Sequence, residues 1–374
     1  MRRLLAFSPS AVRAAKVQNR ALSASRFLSR SWVNNYLCAL TLMGALALLG
    51  RWRLLGACLA PWAVLMVWPE VHATRPAWGH RLGAWVMRKA REYFHLTVVL
   101  EDEKALAAAM DTPAVIGLEP HDVLPFSIFA VSKYAAVSGR ARRRARRPSR
   151  TTLRPISLAR ARALSLWHRY LGLVPGEGDR VGLMTGVLFK LPGMKQVYTW
   201  ASAAPVDKRS FVAALRAGKS CCLIPGGVQE VLAQEPGERG RVTPLYLAKR
   251  KGFVALALAH GAPLVPAFAF GLEKAYDAYF PRGPLWTKVA RQIGFLPLVY
   301  WGWPPKVPYG IARPCAVTVV FGSPIATPPP PADRKTVDPA LVEEYHAKFV
   351  AAMVELFDRH KAAYGPPGAQ VRII

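Results

Sequence analysis

An α/β fold is what this sequence predicts: an N-terminal membrane-embedded helical hairpin followed by a single α/β domain. The hairpin is read from two apolar stretches, residues 36–50 and 54–68, parted only by Arg51-Trp52-Arg53. The domain is read from strand-like runs that alternate with helical periodicity after about residue 100. These patterns divide the chain into a basic tail (1–31), the hairpin (32–69) and the α/β domain (70–374), with a basic, disordered loop at 139–155. No internal repeat is evident.

Each apolar stretch has 15 residues. As a helix it covers about 22 Å, short of a hydrocarbon core roughly 30 Å thick. A hairpin that dips into or just crosses the bilayer therefore fits better than one long span, with Arg51 and Arg53 snorkelling at its turn. One long span would hold both arginines at mid-bilayer, at about 2.5–3.5 kcal/mol each. Both stretches are apolar on every face, which argues against a buried soluble hairpin. Pro61 kinks the second, and Trp32, Trp62 and Trp68 suit membrane interfaces. The tail is rich in Arg and Ser and free of acid. That composition describes an organelle transit peptide and a solvated basic tail equally well.

Within the α/β domain, residues 114–118 form an apolar run closed by Glu119-Pro120, the pattern of a buried strand delivering the next side chains to a sheet edge. A second run, 220–224, ends at Pro225-Gly226-Gly227. Residues 207–217 read as a capped helix stopped by Gly218, and 249–260 as a helix closed by Gly261. Strands follow at 264–270 and 315–321, the latter ending in the turn Gly322-Ser323-Pro324. The last helix is the clearest. Asp338 caps it, Pro339 suits its first position, and Gly365-Pro366-Pro367 stops it. Leu341, Tyr345, Phe349, Ala352 and Leu356 trace its apolar face.

The net charge is +29, and no Asp or Glu occurs before Glu70 or between Asp122 and Glu177. So basic a surface needs an anionic partner: phospholipid head groups, nucleic acid, or a polyphosphate such as coenzyme A. Apolar residues make up 52% of the chain and charged ones 20%, which favours a membrane surface over nucleic acid. Seven arginines fall among the twelve residues 139–150, a solvated insertion or a grip on anionic lipid. No aromatic residue interleaves them and no nucleic-acid module is visible, so no nucleic-acid partner is expected. The five cysteines show no zinc spacing. Adjacent Cys221 and Cys222 would point to opposite faces of a strand, so a reduced, cytosolic setting fits.

His121 is the leading catalytic candidate. A lone histidine is more often structural, but this one sits at a strand end between Glu119 and Asp122, either of which would fix its tautomer for general-base work. Pro225, Gly226 and Gly227 let the backbone approach a ligand closely, as an oxyanion or phosphate site needs, although a plain turn reads the same. Glu230, three residues on, would orient a base or hold an arginine. Lys249, Arg250 and Lys251, read as opening a helix, would meet phosphates, or simply form a charged face. No metal constellation, GxSxG elbow or Walker loop is present.

Taken together, Glu119-Pro120-His121, Pro225-Gly226-Gly227-Val228-Gln229-Glu230, Arg250-Lys251-Gly252-Phe253 and Gly261-Ala262-Pro263-Leu264-Val265-Pro266 resemble the type-2 diacylglycerol acyltransferases. Val319-Val320-Phe321-Gly322-Ser323-Pro324-Ile325 and Phe357-Asp358-Arg359-His360-Lys361 extend the resemblance, which covers residues 36–361. Animal and fungal relatives usually carry His-Pro-His-Gly. The Glu-Pro-His form is similar to the plant and algal branch, where Ser commonly follows, and Asp122 departs from both. The resemblance implies an α/β acyltransferase-type domain and transfer of a fatty acyl group from acyl-CoA to diacylglycerol, forming triacylglycerol. It implies His121 as base, with Glu230, Gly226 and Gly227 orienting groups or stabilising the transition state; Glu119 and Asp122 stay catalytic candidates on the residue pattern alone. Pro225, Lys249, Arg250 and Lys251 become substrate contacts.

No cofactor is required beyond acyl-CoA as co-substrate, because the thioester is already activated. The partners implied are acyl-CoA, diacylglycerol and membrane phospholipid, and a homo-oligomer is compatible with the sequence. The expected address is the endoplasmic reticulum membrane with a cytosolic catalytic domain, extending to the lipid-droplet surface, and the tail equally permits a plastid. Alternatives in the same class use monoacylglycerol, a sterol or a long-chain alcohol as acceptor. A catalytically silent scaffold binding anionic lipid is the alternative outside it.

Overall fold

The computed structural model describes residues 42–67, 77–131 and 180–374, apart from 192–193, 236, 280–282, 286–287, 289–291, 293–297, 304–307 and 335. The basic tail, the start of the first apolar stretch and the basic loop at 139–155 lie outside the described residues. In chain order the elements begin with α1 (Trp52–Val67), α2 (Ala77–Tyr93), β1 (Thr97–Leu100), α3 (Glu103–Met110) and β2 (Val115–Glu119). Next come β3 (Arg180–Met184), α4 (Met194–Trp200), β4 (Ala203–Pro205), α5 (Lys208–Arg216), β5 (Ser220–Leu223), α6 (Val228–Leu232) and β6 (Val242–Leu245). The chain closes with α7 (Gly252–His260), β7 (Leu264–Phe270), β8 (Asp277–Tyr279), β9 (Val299–Trp301), β10 (Thr318–Phe321), α8 (Pro339–Tyr364) and β11 (Gln370–Ile373).

Seven strands form the main sheet in the order β1-β10-β7-β2-β5-β3-β4. β2 pairs in parallel with both β5 and β7, whereas β10 meets β7 antiparallel. The register sets Val115 opposite Cys221 and Gly117 opposite Leu223. The loops that leave the carboxyl ends of β2 and β5 are therefore neighbours, although about a hundred residues separate them in sequence. Every residue of β2 and β5 is buried, as expected of central strands covered on both faces.

Alternation along the strands feeds two cores. Ile116, Leu118, Cys222, Val265 and Val319 face one side, packed with Phe94, Leu106, Met110 and Tyr276. Val115, Cys221, Leu264, Phe268 and Val320 face the other, against Phe211 of α5, Phe253 of α7 and Phe349 of α8. Cys221 and Cys222 thus enter different cores as free thiols. Asp207 caps α5 by accepting the Ser210 N–H at 2.8 Å, and Asp338 caps α8 by accepting the Ala340 N–H at 2.9 Å. Gly261 closes α7 in the left-handed region at φ +63°, where a Cβ is disfavoured.

Two sequence expectations shift. Lys249, Arg250 and Lys251 do not open a helix. The Arg250 N–H bonds the Leu247 carbonyl at 3.0 Å in a turn, and α7 begins only at Gly252 with Lys251 as its N-cap. The buried face of α8 is also rotated: it consists of His346, Phe349, Met353, Leu356 and Phe357, while Leu341, Tyr345 and Ala352 are only half-buried. Tertiary fit sets that rotation. Phe357 stacks on Phe270 with ring centroids 5.8 Å apart, and Phe349 lies over Gly117 of β2.

At the N-terminus a turn at Gly50 (φ +65°) precedes α1, and Leu42, Leu48, Leu49, Trp52, Leu54 and Leu59 are exposed. Among the described residues no helix is long and apolar enough to cross a membrane.

A Cβ on Gly117 would lie 2.4 Å from the Phe349 ring, so β2 and α8 approach closely only because this residue is glycine. We expect Gly117→Ala to destabilise the fold by about 1–3 kcal/mol, and Phe349→Leu to recover part of that loss. Thermal unfolding of the two single variants and the double variant in detergent checks this.

Candidate active site

The two central strands deliver two carboxyls to one buried spot. Glu119, the last residue of β2, is fully buried, and Glu230 in α6 is 3% exposed. Each reaches across to the other loop. Glu119 Oε1 accepts the Gly226 N–H at 2.8 Å, and Glu230 Oε2 accepts the His121 N–H at 2.8 Å. Glu230 Oε1 also accepts the Tyr246 N–H at 3.2 Å. Burial raises the Glu119 carboxyl well above its ordinary range, and the neighbouring Glu230 raises it further. Glu230 is pushed up to about 7, chiefly by burial, against the opposing pull of its backbone donors. Two carboxyls in one dry site do not both ionise at neutral pH, so the pair retains a proton.

His121 follows this brace and is half-buried. Its Nδ1 lies 2.7 Å from the main-chain oxygen of Asp122. A carbonyl only accepts, so the neutral ring carries its proton on Nδ1 and leaves Nε2 unprotonated. Burial holds the imidazole below its ordinary 6.5, partly offset by the Asp122 carbonyl and carboxylate. Nε2 is therefore available as a base at neutral pH.

Asp122 thus fixes the tautomer as one of the two expected residues, but through its main-chain carbonyl and not its carboxylate, while Glu119 makes no hydrogen bond to the ring. Glu119 belongs to a strand, so its side chain enters the core. The Asp122 carboxylate turns away to Arg239, with distances of 2.7 Å and 3.3 Å to the two guanidinium nitrogens. The Asp122 backbone sits at φ +49°, a region where Gly is easiest and Asp and Asn are tolerated best among the rest. That conformation accounts for an aspartate where the related pattern carries glycine.

His121 lines a cavity of about 620 Å³, within the range of small-molecule sites. Its walls are largely apolar: Met87 and Tyr93 of α2, Phe126 and Phe129 beyond β2, and Tyr300 and Ala312 near β9. Stacked rings stiffen this wall, with Phe94 and Phe126 centroids 4.4 Å apart. The Tyr93 hydroxyl donates to the Ala312 carbonyl and links α2 to the β9 side. Pro225, Gly227, Lys249, Arg250 and Lys251 line the same cavity, whereas Glu119, Asp122, Gly226 and Glu230 do not.

The glycine pair thus splits. The Gly226 N–H is committed to Glu119, and a Cβ there would fall 2.0 Å from Glu230 Oε1. Gly226 makes room for the carboxyl brace and is not a donor to the cavity, while Gly227, at φ +56°, brings backbone to the cavity wall. Among the basic residues, Lys249 and Arg250 are exposed, Arg250 lies over the Tyr246 ring, and Lys251 pairs with Glu343 of α8. Arg239 escaped the sequence reading. It lies among charged residues and glycines with no periodic pattern, and only the fold carries it to Asp122.

A family model described as diacylglycerol acyltransferase matches residues 174–373, just over half of the chain. The chain belongs to the diacylglycerol acyltransferase family. It is 32% identical over 201 residues to diacylglycerol O-acyltransferase 2 of Bos taurus, covering 49% of this chain and 52% of that one. Against diacylglycerol O-acyltransferase 2 of Dictyostelium discoideum it is 37% identical over 183 residues, 46% of this chain and 53% of the relative. The chain spans about half the length of these two relatives. With 2-acylglycerol O-acyltransferase 3 of Homo sapiens it shares 26% identity over 89% of its length and 90% of the relative's. The family match includes the Pro225–Glu230 loop and the basic run, and His121 lies ahead of it.

The carboxyl brace has a measurable signature. Both folded pKa values are raised above the ordinary 4.5. Above that value the folded state holds protons that the unfolded chain has lost, so stability falls as pH rises through about 7. Glu119→Gln removes one of these titrations. We expect denaturant unfolding between pH 5 and pH 8 to show a shallower decline in the variant than in the wild type, by on the order of 1 kcal/mol.

Proposed function

We propose that this protein transfers a fatty acyl group from acyl-CoA to the free hydroxyl of diacylglycerol, giving triacylglycerol and free CoA. The observation that carries this reading is His121: a half-buried imidazole with its tautomer set by a carbonyl, on an apolar cavity that also borders Lys249, Arg250 and Lys251. An apolar cavity suits an acyl chain, and basic side chains at its border suit the phosphates of CoA. The diacylglycerol acyltransferase relatives support the same chemistry.

In this mechanism His121 Nε2 takes the hydroxyl proton as the acceptor oxygen attacks the thioester carbonyl carbon. The carbonyl electron pair moves onto oxygen, and we assign the backbone at Gly227, rather than Gly226, to stabilise that oxyanion. Collapse of the intermediate breaks the C–S bond. The departing thiolate then recovers the proton from the imidazolium, so protons and electrons balance without a metal or cofactor. Glu119 and Glu230 act behind the ring by holding its backbone. Lys249 and Arg250 are the more accessible CoA contacts, since Lys251 already has Glu343 as a partner.

The exposed leucines and Trp52 around Gly50 support a membrane hairpin through which the lipid acceptor stays in the bilayer. We place the protein at the endoplasmic reticulum membrane, with the α/β domain on the cytosolic side. A second acceptor, monoacylglycerol, is favoured by the near full-length alignment with the 2-acylglycerol acyltransferase.

Membranes carrying the wild type or His121→Ala at matched protein levels are to be given labelled oleoyl-CoA with diacylglycerol or monoacylglycerol. The expected result is triacylglycerol from the wild type with diacylglycerol as the better acceptor, and a loss of about 10²-fold or more in the variant. Equal rates in both would remove His121 as the base. Absence of product with either acceptor would overturn the reading. Because the imidazole protonates below 6.5, the wild-type rate should hold steady at neutral pH and decline only under acid conditions. Alkaline carbonate should leave the protein in the membrane pellet, and release into the supernatant would refute the hairpin.

A further inference from the structure

We propose that Arg239 is a positioning residue for His121: by holding the Asp122 side chain, it fixes the Asp122 main-chain carbonyl that accepts the His121 Nδ1–H. This inference rests on the acyl-transfer reading for its kinetic arm only.

Arg239 lies in the connection between α6 and β6, in a turn flanked by Gly237 (φ +75°) and Gly240 (φ +82°). Its guanidinium grips both oxygens of Asp122, a planar, bidentate geometry that fixes direction as well as distance. The same guanidinium donates to the Tyr276 carbonyl at 3.1 Å and the Glu273 carbonyl at 3.5 Å. Those carbonyls belong to the segment after β7, and Tyr276 is 1% exposed. The anchor therefore reaches into the rigid core. The Arg239 and Asp122 side chains are 21% and 13% exposed, so solvent screens this pair far less than a surface one.

The carbonyl that orients the imidazole belongs to the gripped residue itself. Asp122 is in the left-handed region, and its carboxylate points to Arg239 while its carbonyl turns back to His121 Nδ1. Loss of the grip frees the peptide unit to rotate, and the Nδ1–H loses its acceptor. A ring free to flip or change tautomer no longer offers Nε2 in one place, and small misplacements of a base cost about 10²-fold in rate.

The clamp is also electrostatic. Around His121 the charged groups are Asp122 beside it, Glu230 at its amide, and Lys249, Arg250 and Lys251 on the shared cavity. Among the described residues, Tyr93, Tyr198 and Tyr300 complete the titratable groups on that cavity, while Glu119, Arg239 and Glu273 lie behind. Of these, Asp122 is the carboxylate whose charge raises the imidazole's proton affinity. Arg239 is the cation paired with it.

The test combines turnover with the reactivity of His121 toward diethyl pyrocarbonate, which acylates the neutral but not the protonated imidazole, read by peptide mass spectrometry across pH. In Arg239→Gln the carbonyl that accepts the Nδ1–H is released, so the midpoint for His121 should move to lower pH, with kcat down about 10²-fold and little change in KM for acyl-CoA. In Asp122→Asn the raising charge is gone and Arg239 stays, so the midpoint should move to lower pH. Arg239→Lys keeps the charge and one contact, so its midpoint and turnover should both lie between those of Arg239→Gln and the wild type. A pairing that only neutralised Asp122, without holding its carbonyl, would leave that charge uncompensated and move the Arg239→Gln midpoint to higher pH. An Arg239→Gln midpoint at higher pH, or Arg239→Gln turnover close to the wild type, would overturn the assignment. If the wild type forms no ester, the functional reading fails while the His121 midpoints still decide the clamp.

Discussion

Everything at this site depends on an exchange of hydrogen bonds between two loops. Glu119 ends one central strand and accepts from Gly226 on the other loop, and Glu230 follows that loop and accepts from His121 on the first. Neither interaction alone would define the distance between the loops. As a reciprocal pair they lock the loops at both ends, and burial strengthens each bond while making any broken one costly. The cost is two carboxyls in a dry place, met by retaining a proton. The proposed catalysis and the stability of the fold here share one set of atoms.

The brace works because β2 is packed in on every side. It lies between β5 and β7, its residues are fully enclosed, and α8 presses Phe349 onto Gly117. The same principle recurs at the loops, where Gly226 is small so that Glu230 can occupy the space a Cβ would take. Two glycines thus serve packing, while Gly227 serves access to the cavity. On the open side, a wall of stacked aromatic rings from α2 and the segment after β2 gives the cavity its apolar character. The imidazole stands at the boundary between this wall and the polar layer behind it. That placement suits a base that must be dry enough to stay neutral and held firmly enough to point one way.

Much of this was legible from residue order. Asp207 and Asp338 announced their helices because capping depends on neighbours within one turn. The strand at 264–270 and the opposite burial of Cys221 and Cys222 followed from periodicity, a local property of the backbone. His121 and the Pro225–Glu230 loop stood out because each combines a strand end with reactive or permissive residue types. The rotation of α8 and the start of α7 depart from what periodicity predicts, since the partners that set them, Gly117 and Leu247, come from distant or non-periodic segments.

The sequence by itself determined the α/β class, the caps and the two strand-end clusters, because these rest on interactions among residues a few positions apart. Only the tertiary structure decided what each polar group does. It sent Glu119 into the core because strand alternation meets a buried neighbour there, and it committed the Gly226 N–H to that carboxyl. It turned Asp122 toward Arg239, 117 positions away, and left the backbone carbonyl to orient His121. Hydrogen bonds are directional and depend on distances of a few tenths of an ångström, and such distances are set by strand register rather than by residue order.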